Sequence, residues 1–218
     1  MNRIRFFVEG TLKKYRALFE SICPPPMSIP KGQRLCEQCN TRGWLYYILE
    51  GVAKVYLTTT DGNEHIVDFM KADTLIGMDC IDGGNRSVVS ISGVTELRVL
   101  PFTPDMLREL ILKNPELGFD LVVYYGEVLR QVAFMVGSMS HTDLLVRLAT
   151  FLLLFVDPNS SGPYKVPLTQ QDVASSIHVS RAQVAKMYAQ LRAEGVLQPK
   201  NRHVLLCDAE KLQQYTKM

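Results

Sequence analysis

The chain has 218 residues, 47% of them hydrophobic and 21% charged, with 14 Gly, 11 Pro and 5 Cys. This composition is ordinary for a globular protein and excludes collagen-like, disordered and disulfide-scaffold classes. The net charge of +2 hides an asymmetry: residues 1–161 carry 16 Lys and Arg against 18 Asp and Glu, whereas residues 162–218 carry 8 against 4. A small basic tail behind a mildly acidic body is the balance of an appended polyanion-binding module.

The longest strongly apolar run, residues 151–156, is far short of the ~20 residues that span a bilayer. Phe6-Phe7-Val8 is too short for a signal-peptide core, and Glu9 follows at once. A cytoplasmic protein without membrane contact is expected. Residues 1–23 read as a helix, with Phe7, Leu12, Tyr15, Leu18 and Phe19 at helical spacing until Pro24-Pro25-Pro26 stops it. From 27 to 100 the pattern becomes short segments rich in Val, Ile, Leu, Tyr and Thr, punctuated by glycines. Asp61-Gly62 between Val55-Tyr56-Leu57 and His65-Ile66-Val67 predicts a hairpin. Many short strands at this spacing predict an antiparallel roll or barrel.

After Pro101 and Pro104 the chain reads as helix over 104–112 and again over 115–139. In the long helix Leu121, Tyr125, Val128, Val132, Met135 and Met139 step by 4, 3, 4, 3, 4, the heptad spacing of a seam with a partner helix. These residues are assigned to the dimer seam, and a second stripe (Val122, Leu129, Val136) is expected to face the roll. Residues 141–156 read as a further helix, 157–163 as a loop, and 164–167 as a short strand.

The C-terminal segment is the most specific. Thr169 caps a helix that runs to Ile177, His178-Val179 makes a turn, and Ser180-Arg181 opens a second helix that ends at Gly195. With Val173, Ile177, Val184, Met187 and Leu191 apolar, this is the pattern of a helix-turn-helix. The opposite face of the second helix shows Arg181, Ala182, Ala185, Lys186 and Ala189. Small residues between two basic ones let a helix sit deep in a major groove, where Arg pairs with guanine. Lys200, Asn201 and Arg202 precede a closing strand at Val204-Leu205-Leu206, where a wing would touch phosphates.

At this point nearly the whole chain resembles the CRP/FNR-type transcription regulators. The resemblance is carried by Lys31-Gly32-Gln33, Tyr46-Tyr47-Ile48-Leu49-Glu50-Gly51, Asp61-Gly62, Leu75-Ile76-Gly77-Met78-Asp79 and Asn85-Arg86-Ser87, and further by Arg147-Leu148-Ala149, Leu168-Thr169-Gln170-Gln171-Asp172-Val173-Ala174 and Val179-Ser180-Arg181. It implies an α+β fold: a cyclic-nucleotide-binding-type antiparallel β-roll (1–114), a dimerisation helix (115–140) and a winged helix-turn-helix (141–218). It also implies a homodimer that reads a roughly palindromic promoter site in double-stranded DNA, with RNA polymerase as a further partner. Base-facing roles fall on Arg181, Ala182 and Lys186, and phosphate or neighbouring-base contacts on Thr169, Gln170, Ser180 and Gln183. Lys200 and Arg202 add wing contacts. Ala182 stands where many relatives have an acidic residue, so the common half-site sequence does not transfer. His178 stands at the usual turn glycine; His tolerates positive φ better than most residues.

In cAMP-binding relatives a Gly-Glu pair holds the ribose, an Arg-Ser pair the phosphate, and a Thr-Ser pair on the long helix reads adenine. This chain keeps Arg86-Ser87 but has Met78 after Gly77, and Val132-Ala133 on the helix, which argues against cAMP. The effector candidates are Gly77, Met78, Asp79, Arg86, Ser87, Leu129, Val132 and Ala133, whose apolar helix members suit a hydrophobic or aromatic molecule. Arg86 reads equally as a structural ion pair.

Cys23, Cys36, Cys39 and Cys80 raise redox or iron–sulfur sensing as the alternative, but their spacing does not match the iron–sulfur relatives. Cys36 and Cys39 would point to opposite faces of a strand unless a turn at Gln38-Cys39-Asn40 intervenes. Haem is disfavoured because no His lies beside Cys80. An enzyme is not expected: His65, His141, His178 and His203 are scattered, and there is no nucleophile elbow or P-loop. A nucleotide-binding adaptor without DNA contact is the remaining reading.

Overall fold

The computed structural model describes residues 12–40, 43–82, 84–157, 160–201 and 203–217. It divides into two compact units, one from Phe7 to Leu129 and the other built on Arg130–Met218.

In the first unit a short 3-10 turn leads into α1 (Arg16–Ile22), which ends where Cys23 turns extended ahead of the three prolines. The expected N-terminal helix is thus present over its second half; residues 1–11 lie outside the described residues. Eight strands follow: β1 (Met27–Ile29), β2 (Arg34–Cys36), β3 (Leu45–Glu50), β4 (Val52–Thr58), β5 (Glu64–Lys71), β6 (Leu75–Ile76), β7 (Ser90–Gly93) and β8 (Leu97–Phe102). They form two four-stranded antiparallel sheets, ordered β1-β8-β3-β6 and β2-β7-β4-β5. Asp61-Gly62 closes the β4–β5 hairpin as expected, with Gly62 at φ +77.

The period-2 alternation of strands sorts the core. Ile48, Val99 and Leu97 pack with Ile29, Ala53, Val55 and Ile91 between the sheets. Their neighbours Tyr47, Leu49, Leu100 and Phe102 point the other way, onto Leu12, Phe19, Leu107, Leu110, Leu117, Leu121 and Tyr124. One buried charge is fully partnered in that second cluster: Asp73 accepts from Arg16 Nε at 2.9 Å and from the Tyr47 hydroxyl at 2.7 Å. Burial and the Asp73 charge push the Tyr47 hydroxyl well above its ordinary pKa, so it stays a donor.

Thr103 caps α2 (Pro104–Lys113), and α3 (Pro115–Met139) follows over the expected span. The stripe expected to face the roll is exposed, and the stripe assigned to the seam is buried or half-buried in the single chain. Leu121 packs in the core cluster with Tyr125 and Val128 against it; Met135 is buried, and Val132 and Met139 are half-buried. By contrast Phe119 (71%), Val122 (70%), Leu129 (69%) and Val136 (67%) are exposed. The two stripes have the same spacing on the same helix; which one meets the body depends on the rotation of α3, and that is set by how Leu117, Leu121 and Tyr124 fill the space beneath it.

The second unit holds α4 (Leu144–Leu152), capped by Asp143, then β9 (Tyr164–Val166), α5 (Gln170–Ile177), α6 (Arg181–Ala193), β10 (Leu197–Lys200), β11 (His203–Leu206) and α7 (Ala209–Gln214). β10, β11 and β9 form a three-stranded antiparallel sheet in that order. Compactness divides the chain inside α3, between 129 and 130, whereas the sequence expectation set that helix apart with boundaries at 114 and 140. Among the described residues no helix is long and apolar enough to cross a membrane.

Candidate nucleic-acid interface and effector site

The local chemistry of 169–193 builds two helices with defined starts. Thr169 Oγ1 accepts from Asp172 N–H at 3.1 Å while Asp172 Oδ2 accepts from Thr169 N–H at 3.1 Å, a reciprocal capping box. Ser180 and Gln183 repeat it on α6, at 3.2 and 2.8 Å. Between them His178 adopts the left-handed conformation at φ +55, and its N–H and that of Val179 both reach Ala174 O. The turn expected at His178 is therefore present, made by a residue that reaches this region at modest cost.

α6 buries Val184, Met187, Tyr188 and Leu191 and turns Arg181, Ala182, Gln183, Lys186 and Ala189 to solvent; Ala185 is half-buried. The outer surface is short-chained at Ala182 and Ala189 and basic at Arg181 and Lys186, the relief a helix needs to enter a groove. Thr169, Ser180 and Gln183 sit at the two helix N-termini, with their oxygens engaged in the caps and their faces exposed; Gln170 is half-buried. The wing is a hairpin, with Lys200 exposed, Asn201 at φ +55, and Lys200 opposite His203. Arg202 lies outside the described residues.

Sequence reasoning found the closing strand but missed β10, because Pro199 reads against a strand; β10 is an edge strand, where a missing N–H is tolerated. It also left Arg147 without a role. That guanidinium donates to Met139 O (3.2 Å), His141 O (2.7 Å) and Ile177 O (3.2 Å), tying the end of α3 to the end of α5.

In the roll, Gly77 takes φ +91 and starts a 3-10 turn over Met78–Cys80. The Ser87 hydroxyl (2.7 Å) and the Val88 N–H (3.0 Å) converge on one oxygen, Oδ2 of Asp79. Ser87 is buried and Arg86 is exposed. Two donors that would receive an anionic group are thus engaged by the chain's own carboxylate. Nearby, the Tyr125 hydroxyl is buried and has no partner among the described residues. Burial, together with the charges of Tyr124 and Asp79, raises its pKa well above the ordinary value. Of the expected helix surface, Leu129 and Ala133 are exposed and Val132 is half-buried, and the i, i+3, i+4 spacing sets the three on one side of α3.

Cys36 ends β2, buried, with Sγ near Val89 O (3.6 Å); Cys39 follows in a turn at φ +67, exposed. The turn that could bring both thiols to one side is present. Burial pushes the Cys23 thiol up to about 11, away from the reactive thiolate. Among the described residues no cluster of three or more His, Cys, Asp or Glu is placed to hold a metal.

The comparisons agree with this architecture. Residues 26–114 match the cyclic nucleotide-binding domain family, and residues 146–215 match the Crp-like helix-turn-helix domain family. The chain is 27% identical over 193 residues, 86% of each protein, to the CRP-like cAMP-activated global transcriptional regulator of Mycobacterium tuberculosis. The solved structure of a CooA mutant from Carboxydothermus hydrogenoformans superposes with a TM-score of 0.81 at 16% identity, covering 98% of both chains. That of the c-di-GMP responsive global regulator CLP from Xanthomonas campestris gives 0.74 at 15% identity, covering 88% of this chain and 98% of its own. A cyclic-nucleotide-binding-type roll and a Crp-like helix-turn-helix on one chain, in proteins that are transcription regulators rather than enzymes, identify this chain as a member of the CRP/FNR family of transcription regulators.

Proposed function

We propose that the protein is a homodimeric, effector-gated transcription factor that reads a palindromic promoter site with α6 and acts there on RNA polymerase. The observation that carries this reading is the pair of capped helices joined at His178, with Arg181, Ala182 and Lys186 outward over a buried Val184, Met187 and Leu191 face. Arg181 and Lys186 supply base readout, and Lys200 supplies phosphate contact, with Arg202 assigned alongside it from sequence. The dimer forms along the exposed stripe of α3: Phe119, Val122, Gly126, Leu129, Ala133 and Val136 step by 3, 4, 3, 4, 3, the spacing that lets two helices interlock.

The effector is a small, neutral, largely apolar molecule, and not cAMP. Asp79 already holds the Ser87 and Val88 donors, so a phosphate there would meet a like charge. The unpaired Tyr125 hydroxyl, on a residue that packs against the core cluster as Met78 and Val128 do, offers one hydrogen bond in apolar surroundings. Effector binding shifts a two-state equilibrium in the spacing of the two recognition helices.

The test is selection of a preferred duplex from a random library, followed by Arg181→Ala. The variant is expected to lose about 1–3 kcal/mol on the preferred duplex and to relax its sequence preference. Equal weakening on preferred and unrelated duplexes refutes base readout by Arg181.

A further inference from the structure

The surface that presents α6 also holds a cavity of about 430 Å³, walled by the start of α5, by α6 and by the β10–β11 hairpin. Arg181, Tyr188 and Arg192 lie on its α6 wall, Gln170 on α5, and Asn201 and His203 on the hairpin. Two of its lining residues each keep a buried polar atom, Tyr188 Oη and His203 Nδ1, that has no partner among the described residues. Tyr188 is 2% exposed, so its hydroxyl is set rigidly in the packed face of α6. Burial also raises its pKa well above the ordinary value, which keeps it a neutral O–H donor. A buried donor left unpaired is costly, and native proteins keep few of them without a use.

The neighbours give the missing acceptor its chemistry. Arg192 Nε donates to the Tyr188 main-chain carbonyl at 3.2 Å, which ties the guanidinium to the same turn of α6 and leaves its two amino groups for the cavity it lines. Arg181 adds a second guanidinium, and the positive end of α5 opens on the same space. Among the described residues no Asp or Glu lines the cavity. Two fork-shaped cations, a phenol O–H and an imidazole nitrogen around one space suit an oxyanion. Arg181 belongs to both the cavity and the outward face of α6, so the oxyanion positioned to fill it is one that arrives with the groove.

We propose that this cavity seats a backbone phosphate of the DNA that α6 reads, held by Tyr188, Arg192 and His203. The seat rests on the DNA-binding reading above and adds residues that neither the helix pattern nor the wing pattern singled out. A free phosphate offers the same chemistry, so the two sources must be told apart.

The experiment uses the full chain, as wild type, Tyr188→Phe and Arg192→Gln. Affinity is measured by fluorescence anisotropy on a preferred and an unrelated duplex across a salt series, and inorganic phosphate is titrated by calorimetry. Tyr188→Phe keeps the ring and therefore the packing, which a thermal melt checks. Both variants are expected to weaken both duplexes by the same factor, several-fold to about tenfold, and Arg192→Gln to lower the salt slope by about 1. In duplexes carrying single neutral methylphosphonates, one position per half-site should weaken the wild type and leave Tyr188→Phe no worse. Variants that bind as the wild type does, or that lose only the preferred duplex, overturn the seat. So does phosphate binding that Tyr188→Phe abolishes while DNA affinity stays unchanged, since the ligand is then a free anion. A wild type that discriminates no duplex would instead count against the DNA-reading function, whatever the variants do.

Discussion

Leu129→Glu should convert the proposed dimer into a folded monomer. Leu129 is 69% exposed in the single chain, and burying a whole leucine side chain stabilises by about 1.5–3 kcal/mol. Two-thirds of that is about 1–2 kcal/mol per copy, and a twofold seam presents the residue from both copies, so about 2–4 kcal/mol per dimer depends on it. At 1.4 kcal/mol per tenfold, the dissociation constant rises about 30- to 700-fold from lost burial alone; two carboxylates facing each other across the seam add to this. Sedimentation velocity over a dilution series reads the shift, and circular dichroism should show unchanged secondary structure, because the side chain packs on little of its own chain. Val128→Glu is the control. Val128 packs against the core cluster of Leu121 and Tyr124, so the same charge there should lower the melting temperature rather than yield a clean monomer. A dimeric Leu129→Glu, or a stable monomeric Val128→Glu, would return the seam to the inner stripe.

Ser180→Ala removes the cap of α6 and should cost about 1 kcal/mol, a melting shift of about 2–4 °C, with weaker DNA binding from a frayed N-terminus; an unchanged melt would sink the cap. Tyr125→Phe keeps the packing but deletes the unpaired hydroxyl, so the effector concentration that switches DNA binding should rise about 2- to 10-fold, whereas Arg86→Ala should leave it unchanged. The opposite pair of outcomes would restore an anion clamp at Arg86. Lys14 and the Tyr15 hydroxyl hold Asp120 below the usual carboxylate range. Its folded-state pKa is depressed, so its contribution is present in full above the ordinary Asp pKa of about 4 and is lost as pH falls through the lowered value. Asp120→Asn should therefore melt lower than the wild type at neutral pH, and the two should converge in acid. A constant gap across the pH range would show that the carboxylate charge contributes nothing.

Local rules were enough for much of this protein. The β4–β5 hairpin follows from Asp61-Gly62 between apolar runs, and the helix-turn-helix from Thr169, Ser180 and the period of Val173, Ile177, Val184 and Leu191. Even the left-handed turn at His178 is a single-residue preference. These elements are decided by backbone chemistry within a few residues, so the sequence by itself determined them. Tertiary structure decided what depends on residues far apart. Two stripes of α3 share one spacing, and only Leu117, Leu121 and Tyr124 seated on the roll select the face left exposed. β10 exists despite Pro199 because its partner β11 lies on one side only. Asp79 and Val88 are nine residues apart, and Tyr188 and His203 come from a helix and a hairpin. No pattern along the chain encodes such meetings, because a periodic sequence specifies which residues share a face, while the packing of distant segments specifies what that face touches.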